Sequence, residues 1–510
     1  MLDLLGGFAH LFSDFDAVFF VFLAALVGIV AGALPGLTAA AAIAMLLPLS
    51  FHLDALPALA FLYVIGKSGR YGGSIAAILF NTPGTAASAA TMQDGYPMTV
   101  RGEAGKALKT ATIASIIGDY IGEFILIFGA VFIASYTKTF GPTEYFAIYV
   151  MAFIVIGSVV GKSVIKGILS TLLGGFVALV GLDTITNAPR MTMGFNELEE
   201  GMALVPLLIG VFVISEVIIQ AEKTAKDTLV GLGEIDIGNP GANHLTWVEF
   251  KRCFPIMIRS SFIGAFIGMM PGLGSSVACF VAYGEEKRRS KNPEDWGTGI
   301  VEGIAAPESS NNAVSGPSMI PLLTLGIPGS TVAAILIGVF LIHGIQVGPS
   351  IFDTPQSREL IYALFAAGLL GIAVYGVMGY WGGPFIGRMI SYLPPRVLYP
   401  FIFLTSIAAS YSSRASILDV GIALIFGIVG YGMRRTEFSA AAFVIAFVLA
   451  NNMEESFRQA LLLSDDGILI FVKEPVALAF LVIGFGVMIY RSISVVRQKR
   501  KQSDGNGSNF

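Results

Sequence analysis

Apolar residues in this chain come in blocks close to the roughly 20 residues that a bilayer-crossing helix needs. Such blocks cover residues 110–135, 145–160, 164–181 and 202–219, then 360–380, 397–407, 417–431, 438–450 and 476–490, each read as a membrane helix, while the first apolar run begins at residues 17–34. Between them lie apolar stretches that no straight helix fits, because Pro-Gly pairs split them. Pro35-Gly36 cuts the first run into two pieces too short to span comfortably, which predicts a hairpin dipping into the membrane. A second break falls at NTPGT, residues 81–85. The most heavily broken segment is GIVEGIAAPESSNNAVSGPSMIPLLTLGIPGST, residues 299–331, where Pro317, Pro321 and Pro328 follow Pro307. Each proline removes a backbone donor and clashes with the preceding turn. Unpaired peptide groups at membrane depth survive only where protein or a wet cavity satisfies them. The segment therefore predicts a polar site inside the membrane.

The breaks repeat. FIGAFIGMMPGLGSS sets Pro271-Gly272 in the context of Pro35-Gly36, with Gly28, Gly32 and Leu37 matched by Gly264, Gly268 and Leu273 at a constant spacing of 236 residues. NTPGT is matched by GIPGS, residues 326–330. Two such pairs indicate a duplicated chain of the kind found in transporters. The predicted fold class is an all-α polytopic membrane protein with two inverted-topology repeats, Pro-Gly-broken helices or re-entrant hairpins, and roughly 10–13 membrane segments. Its organisation reads as a first membrane repeat at 1–220, a hydrophilic linker at 221–251, a second repeat with scaffold helices at 252–490, and a basic then polar tail at 491–510.

Composition agrees with this reading. The chain is 55% hydrophobic and only 13% charged, with a mean hydropathy of +0.76, far from the balance of soluble domains. A formal net charge of −4 gives no basic surface for nucleic acid. Cys253 and Cys279 lie in or beside apolar runs and suggest no disulfide framework. Residues 1–16 lack Lys and Arg for a basic leader region, so the first apolar run is expected to be retained. Charge also orients the copies. In the first, no Lys or Arg follows the first break between residues 50 and 56, while Arg101, Lys106 and Lys109 follow the second. In the second copy Lys287, Arg288, Arg289 and Lys291 follow the first break and only Arg358 the second. Because basic loops stay cytoplasmic, this reversal is what inverted repeats give, with the basic C-terminal tail inside and the N-terminus outside.

Every break is followed by hydroxyls: Thr38; Thr85; Ser275 and Ser276; Ser330 and Thr331. Ser and Thr are good N-caps, and a helix starting there turns free N–H groups toward the break. Such ends hold an anion without a formal cation. The candidate solute site is therefore Pro35, Gly36 and Thr38; Asn81, Thr82, Pro83, Gly84 and Thr85; Pro271, Gly272, Gly274, Ser275 and Ser276; and Gly326, Pro328, Gly329, Ser330 and Thr331. The plainer alternative is that Pro-Gly only kinks helices and Ser or Thr fills packing gaps. Four breaks in two matched pairs favour the site. Glu308, Asn311 and Asn312 offer carboxylate and amide oxygens for a coupling ion, Na+ near Glu308 and Asn311 or a proton. Alternatively Pro307 opens a helix and Glu308 merely complements its dipole. Lys67 and Arg70 are candidate anion contacts or partners for an acid. Asp119 and Glu123, at i and i+4 inside an apolar run, need a proton or a partner. A salt bridge between these basic and acidic pairs is as good a reading as a transport role. No HExxH or GxSxG motif occurs, and the four histidines are dispersed. An intramembrane enzyme using the buried carboxylates, or an anion channel, is the alternative.

PGLTAAAAIAMLLPLSF, YGGSIAAILFNTPGTAASAATMQDGYPM, PGLGSSVACFVAYGEEKRRSKNPEDWGTGIVEGIAAPESSNNAV and IPLLTLGIPGSTVAAILIGVFLIHGIQVGP resemble signature segments of the TctA family. These are the large membrane subunits of bacterial tripartite tricarboxylate transporters. The resemblance reaches to about residue 490. It implies uptake of tricarboxylates or related carboxylates driven by a Na+ or H+ gradient, in a bacterial inner membrane and with no other cofactor. It also implies two partners, a small integral membrane subunit (TctB-like) and a periplasmic substrate-binding protein (TctC-like). Lys67, Arg70, Asp119, Glu123 and the serines of PESSNNA depart from the pattern, which points to an altered solute or ion preference.

Overall fold

The computed structural model describes residues 2–34, 37–159, 163–183, 186–226, 243–391 and 395–506. These are almost wholly helical. The first repeat runs through α1 (Leu2–Ser13), α2 (Phe15–Ala33), α3 (Ala39–Leu46), a 3-10 turn at Leu47–His52, α4 (Ala55–Phe80), α5 (Ser88–Val100) and α6 (Ala104–Thr137). Then come α7 (Pro142–Val159), α8 (Val164–Ala178), a two-stranded antiparallel hairpin of Gly181–Leu182 with Pro189–Arg190, α9 (Leu204–Leu208), a π-helical stretch Ile209–Ile214, and α10 (Ser215–Lys226).

The second repeat follows as α11 (Trp247–Gly268), α12 (Gly274–Arg289), α13 (Val301–Ala313), α14 (Ile320–Leu325), α15 (Thr331–Ile342) and α16 (Pro355–Ser391). The chain closes with α17 (Pro395–Arg414), α18 (Ile417–Arg435), α19 (Ala440–Leu462), α20 (Ile470–Lys473) and α21 (Pro475–Asn506). Among the described residues six helices are long and apolar enough to cross a membrane, and four shorter ones are apolar. Most of the hydrophilic stretch 221–251 falls at residues 227–242, outside the described residues.

Two compact units emerge, Met1–Ser135 with Val205–Tyr431, and Tyr136–Leu204 with Gly432–Phe510. Each draws on both halves of the sequence. Inside the smaller unit, Arg190 and Arg458 pair with Asp183 and Glu454. Beside them a cavity of about 1100 Å³ is walled by Phe146, Phe153, Leu172, Phe176 and Phe457.

Inside the larger unit the two repeats are built alike and interlock. α2 lies on α4 so closely that Gly32 faces the Gly69 carbonyl, and α11 lies on α13 with Gly268 facing the carbonyl of Val314. Any side chain at these glycines would separate the helices, and close approach of this kind is what holds helices together in lipid. The remaining contacts are exchanged between copies. α5 packs on α12 and α13, while α15 packs on α3 and α4. α6 sets Gly118 and Gly122 against the Ser309 and Ala313 carbonyls of α13, and α16 sets Gly371 and Gly379 against Val64 and Tyr71 of α4. The glycines matched in the sequence are thus points where α2 and α11 grip the two central helices, and further glycines on α6 and α16 do the same.

Candidate functional site

The second breaks share one backbone turn. Asn81 (φ 53) ends α4 and Gly326 (φ 71) ends α14, both in the left-handed conformation, one residue of sequence before Thr82-Pro83 and Ile327-Pro328. Gly and Asn are the residues that take this conformation at little cost. Beyond the turn, Ser330 caps α15 by accepting from Ala333 N at 3.2 Å. Thr85 and Ser88 exchange bonds ahead of α5, Ser88 N to Thr85 Oγ1 at 3.2 Å and Thr85 N to Ser88 Oγ at 3.1 Å. Asn81, Thr82 and Pro83 are exposed, whereas Gly326, Pro328 and Gly329 are buried and Thr331 is half-buried.

The first breaks differ in what can be said of them. Pro35 and Gly36 lie outside the described residues, while Thr38 caps α3 through Ala41 N at 3.2 Å. In the second copy α12 already starts at Gly274, so Ser275 and Ser276 sit within its first turn and cap nothing; this corrects their expected role. The breaks of each copy meet: Gly272 N reaches Gly329 O at 3.4 Å, and Gly84 lies against the Gly32 carbonyl just ahead of Pro35.

Glu308 is fully buried on α13. Pro307 is the seventh residue of that helix and not its first, so the reading of Glu308 as a complement to a helix start fails. Four helices supply the surroundings of its carboxylate. Ser74 of α4 donates to Oε1 at 2.6 Å, Thr91 of α5 donates to the same oxygen, and Ser115 of α6 donates to Oε2 at 3.2 Å. Asn312 Nδ2 donates in turn to Ser115 Oγ at 2.8 Å, leaving Asn312 Oδ1 unpartnered. One carboxylate, three hydroxyls and a free amide oxygen make an oxygen-rich cage with no formal cation. Its donor set fits Na+, and the hydroxyls equally suit a protonated carboxyl.

Lys67 lies two turns before Ser74 on α4, and its Nζ is 2.7 Å from Asp119 Oδ1 and 2.7 Å from Glu123 Oε2, all three side chains being 0% exposed. Tyr63 donates to Glu123 Oε2 at 2.7 Å and Tyr375 of α16 to Asp119 Oδ2 at 3.1 Å. The ammonium is committed to two carboxylates and stacked over the Tyr63 ring at 4.8 Å, so it is not free for a solute anion. Arg70 behaves differently. It is half-buried, its Nε is unpartnered, and its charge acts on Asp119 and on Cys279 of α12. Cys279 in turn meets the Pro307 carbonyl at 3.4 Å, one turn from Asn311. Both amide atoms of Asn311 are buried without partners. Buried polar atoms are so regularly paired that orphans call for a ligand or water. Arg70 Nε and the Asn311 amide are therefore buried polar groups that nothing among the described residues answers.

Asp94 of α5 was silent in the sequence, yet it clamps the α12–α13 connection. It accepts from Gly299 N at 2.9 Å, Ile300 N at 3.0 Å, Gly297 N at 3.0 Å and the Tyr283 hydroxyl at 2.8 Å. Arg101 adds bonds to the Thr298 and Gly299 carbonyls. A Cβ at Gly303 would collide with the Asp94 carboxylate. Gly303→Ala is expected to cost about 1–3 kcal/mol, from overpacking and loss of these bonds. Faster proteolysis of the 290–300 connection in the variant checks this. Ser74, Thr91, Ser115, Tyr63 and Tyr375 also went unread. Their only signal was a hydroxyl inside an apolar run, which is common in membrane helices. Among the described residues no three His, Cys, Asp or Glu side chains gather as a metal-ligand set.

A helical membrane protein with duplicated broken helices, and with buried charge and orphaned amides beside the breaks, has the architecture of a secondary transporter. Residues 18–445 match the tripartite tricarboxylate transporter TctA family, and the chain belongs to that family as the large membrane-subunit type. It is 34% identical over 98% of both chains to an uncharacterized 52.8 kDa protein in the TAR-I ttuC' 3' region of Agrobacterium vitis. It is 35% identical over 241 residues to an uncharacterized protein in the TAR-II ttuC' 3' region of the same organism, 47% of this chain and 98% of the other. No solved structure matches it.

Proposed function

We propose that this chain is the carrier subunit of a binding-protein-dependent importer of tricarboxylates or related carboxylates, seated in a bacterial inner membrane with its C-terminus cytoplasmic. The observation that carries the reading is the pair of unanswered groups, Arg70 Nε and the Asn311 amide, inside interlocked repeats whose broken helices begin nearby. A solute carboxylate accepts from both, helped by the N-terminal peptide groups of the broken helices. Glu308 and Asn312, with Ser74, Thr91 and Ser115, take the coupling ion, Na+ or H+. The repeats lie in opposite orientations across the bilayer and exchange access to the site between its two faces. A small membrane subunit completes the complex, and a periplasmic binding protein delivers the solute. The supported role is carriage and not catalysis.

The test is uptake of labelled di- and tricarboxylates into vesicles containing this chain and both partners, under an imposed Na+ or H+ gradient. Gradient-driven uptake that stops when the binding protein is omitted is expected. Uptake of no carboxylate with all three components folded would overturn the reading.

A further inference from the structure

The Lys67 cluster has more negative charge than its own ammonium can balance. Two carboxylates, Asp119 and Glu123, share one ammonium at full burial. An uncompensated charge in such surroundings is costly. The ionisable groups facing the cluster are Tyr63, Lys67 and Arg70 of α4, Tyr120 of α6, Tyr375 of α16 and, through Tyr375, Glu308 of α13. Of these only Arg70 can supply the missing positive charge, and it is the same group whose Nε awaits a partner.

The oxygens of the two acids are not equivalent. Asp119 uses both, one toward Lys67 and one toward Tyr375. Glu123 directs Oε2 to Lys67 and Tyr63, while Oε1 is buried without a partner against Gly368. At that position a Cβ would strike Oε1, so the glycine leaves it the little room it has.

We infer that Glu123 is a proton-loading site linked to solute binding: a carboxylate engaging Arg70 withdraws the balancing charge, and Glu123 Oε1 takes one proton from water to restore it. The inference rests on the proposed role of Arg70. Lys67 stays charged and paired throughout, Asp119 stays ionised, and one O–H bond forms per solute bound. The cluster is separate from the Glu308 cage, which lies against different side chains. Solute and proton thus travel together, and release of the solute from Arg70 frees the proton.

The test reads the protonated-carboxyl stretch by infrared difference spectroscopy on the purified full-length chain, and its main arm needs no solute. In an Glu308→Gln background, which removes that residue's own signal, Arg70→Gln should gain a band worth one carboxyl per chain without any ligand. Arg70→Lys, which keeps the charge, should not gain it, and adding Glu123→Gln to Arg70→Gln should abolish it. In the chain with Arg70 intact, saturating citrate should raise the same band. A spectrum unchanged by Arg70→Gln, or a band that survives Glu123→Gln, would overturn the inference. Because the Arg70→Gln arm is free of solute, a failure to transport carboxylates leaves it readable.

Discussion

A Lys67→Met variant is expected to lose about 3–5 kcal/mol of stability, since removing one partner of a buried pair strands the other charge. Here the Arg70 charge remains to balance only one of the two carboxylates, Asp119 and Glu123, and the two tyrosine hydroxyls cannot neutralise the other. Combining Lys67→Met with Asp119→Asn and Glu123→Gln removes the charges together and should recover most of the loss. Thermal unfolding in detergent measures both. A role for Lys67 as a solute contact predicts the opposite pattern: a stable single variant with impaired binding.

Glu308→Gln should leave the fold in place, because the amide oxygen still accepts from Ser74 and Thr91 while the amide nitrogen can donate to the Ser115 hydroxyl oxygen, yet remove the charge that holds the coupling ion. In a tenfold Na+ gradient with equal pH on both sides, one coupled ion supports about tenfold accumulation, about 1.4 kcal/mol, and this ratio should fall to about unity. Exchange of labelled for unlabelled solute, which requires no gradient, should persist. Parallel accumulation and exchange assays in vesicles separate the two, and undiminished accumulation in the variant would remove Glu308 from coupling.

The architecture was legible where it rests on composition and on proline. Each Pro-Gly pair forbids a continuous helix whatever surrounds it, so the second breaks at 81–85 and 326–330 appear in the structure where the pattern put them, down to matched left-handed residues. The repeated glycines marked the duplication, and the structure shows that they lie where helices touch. Pro307 misled for a physical reason: a proline inside a helix forfeits one backbone bond, and a helix held by packing on all sides runs through it. Ser275 and Ser276 misled because the glycine before them starts the helix.

Partners of buried charges were legible only as types. Asp119 and Glu123 required a cation, and Lys67 and Arg70 were both available some fifty residues away along the chain. Which of them is neutralised depends on the rotation of α4 against α6, and one sequence does not contain that angle. The structure divides them, giving Lys67 to the acids and leaving Arg70 Nε without a partner. The hydroxyls around Glu308 come from three other helices and carry no local mark at all.

That division is the centre of the account, and equilibrium binding tests it most directly. Labelled citrate and succinate would be titrated onto the purified chain and onto Arg70→Gln, with folding of each confirmed by thermal unfolding. Loss of a charge-assisted contact of about 1.5–3 kcal/mol predicts that Arg70→Gln binds about 10- to 150-fold more weakly than the unaltered chain. Equal affinity in the two folded proteins would contradict the assignment of the carboxylate to Arg70.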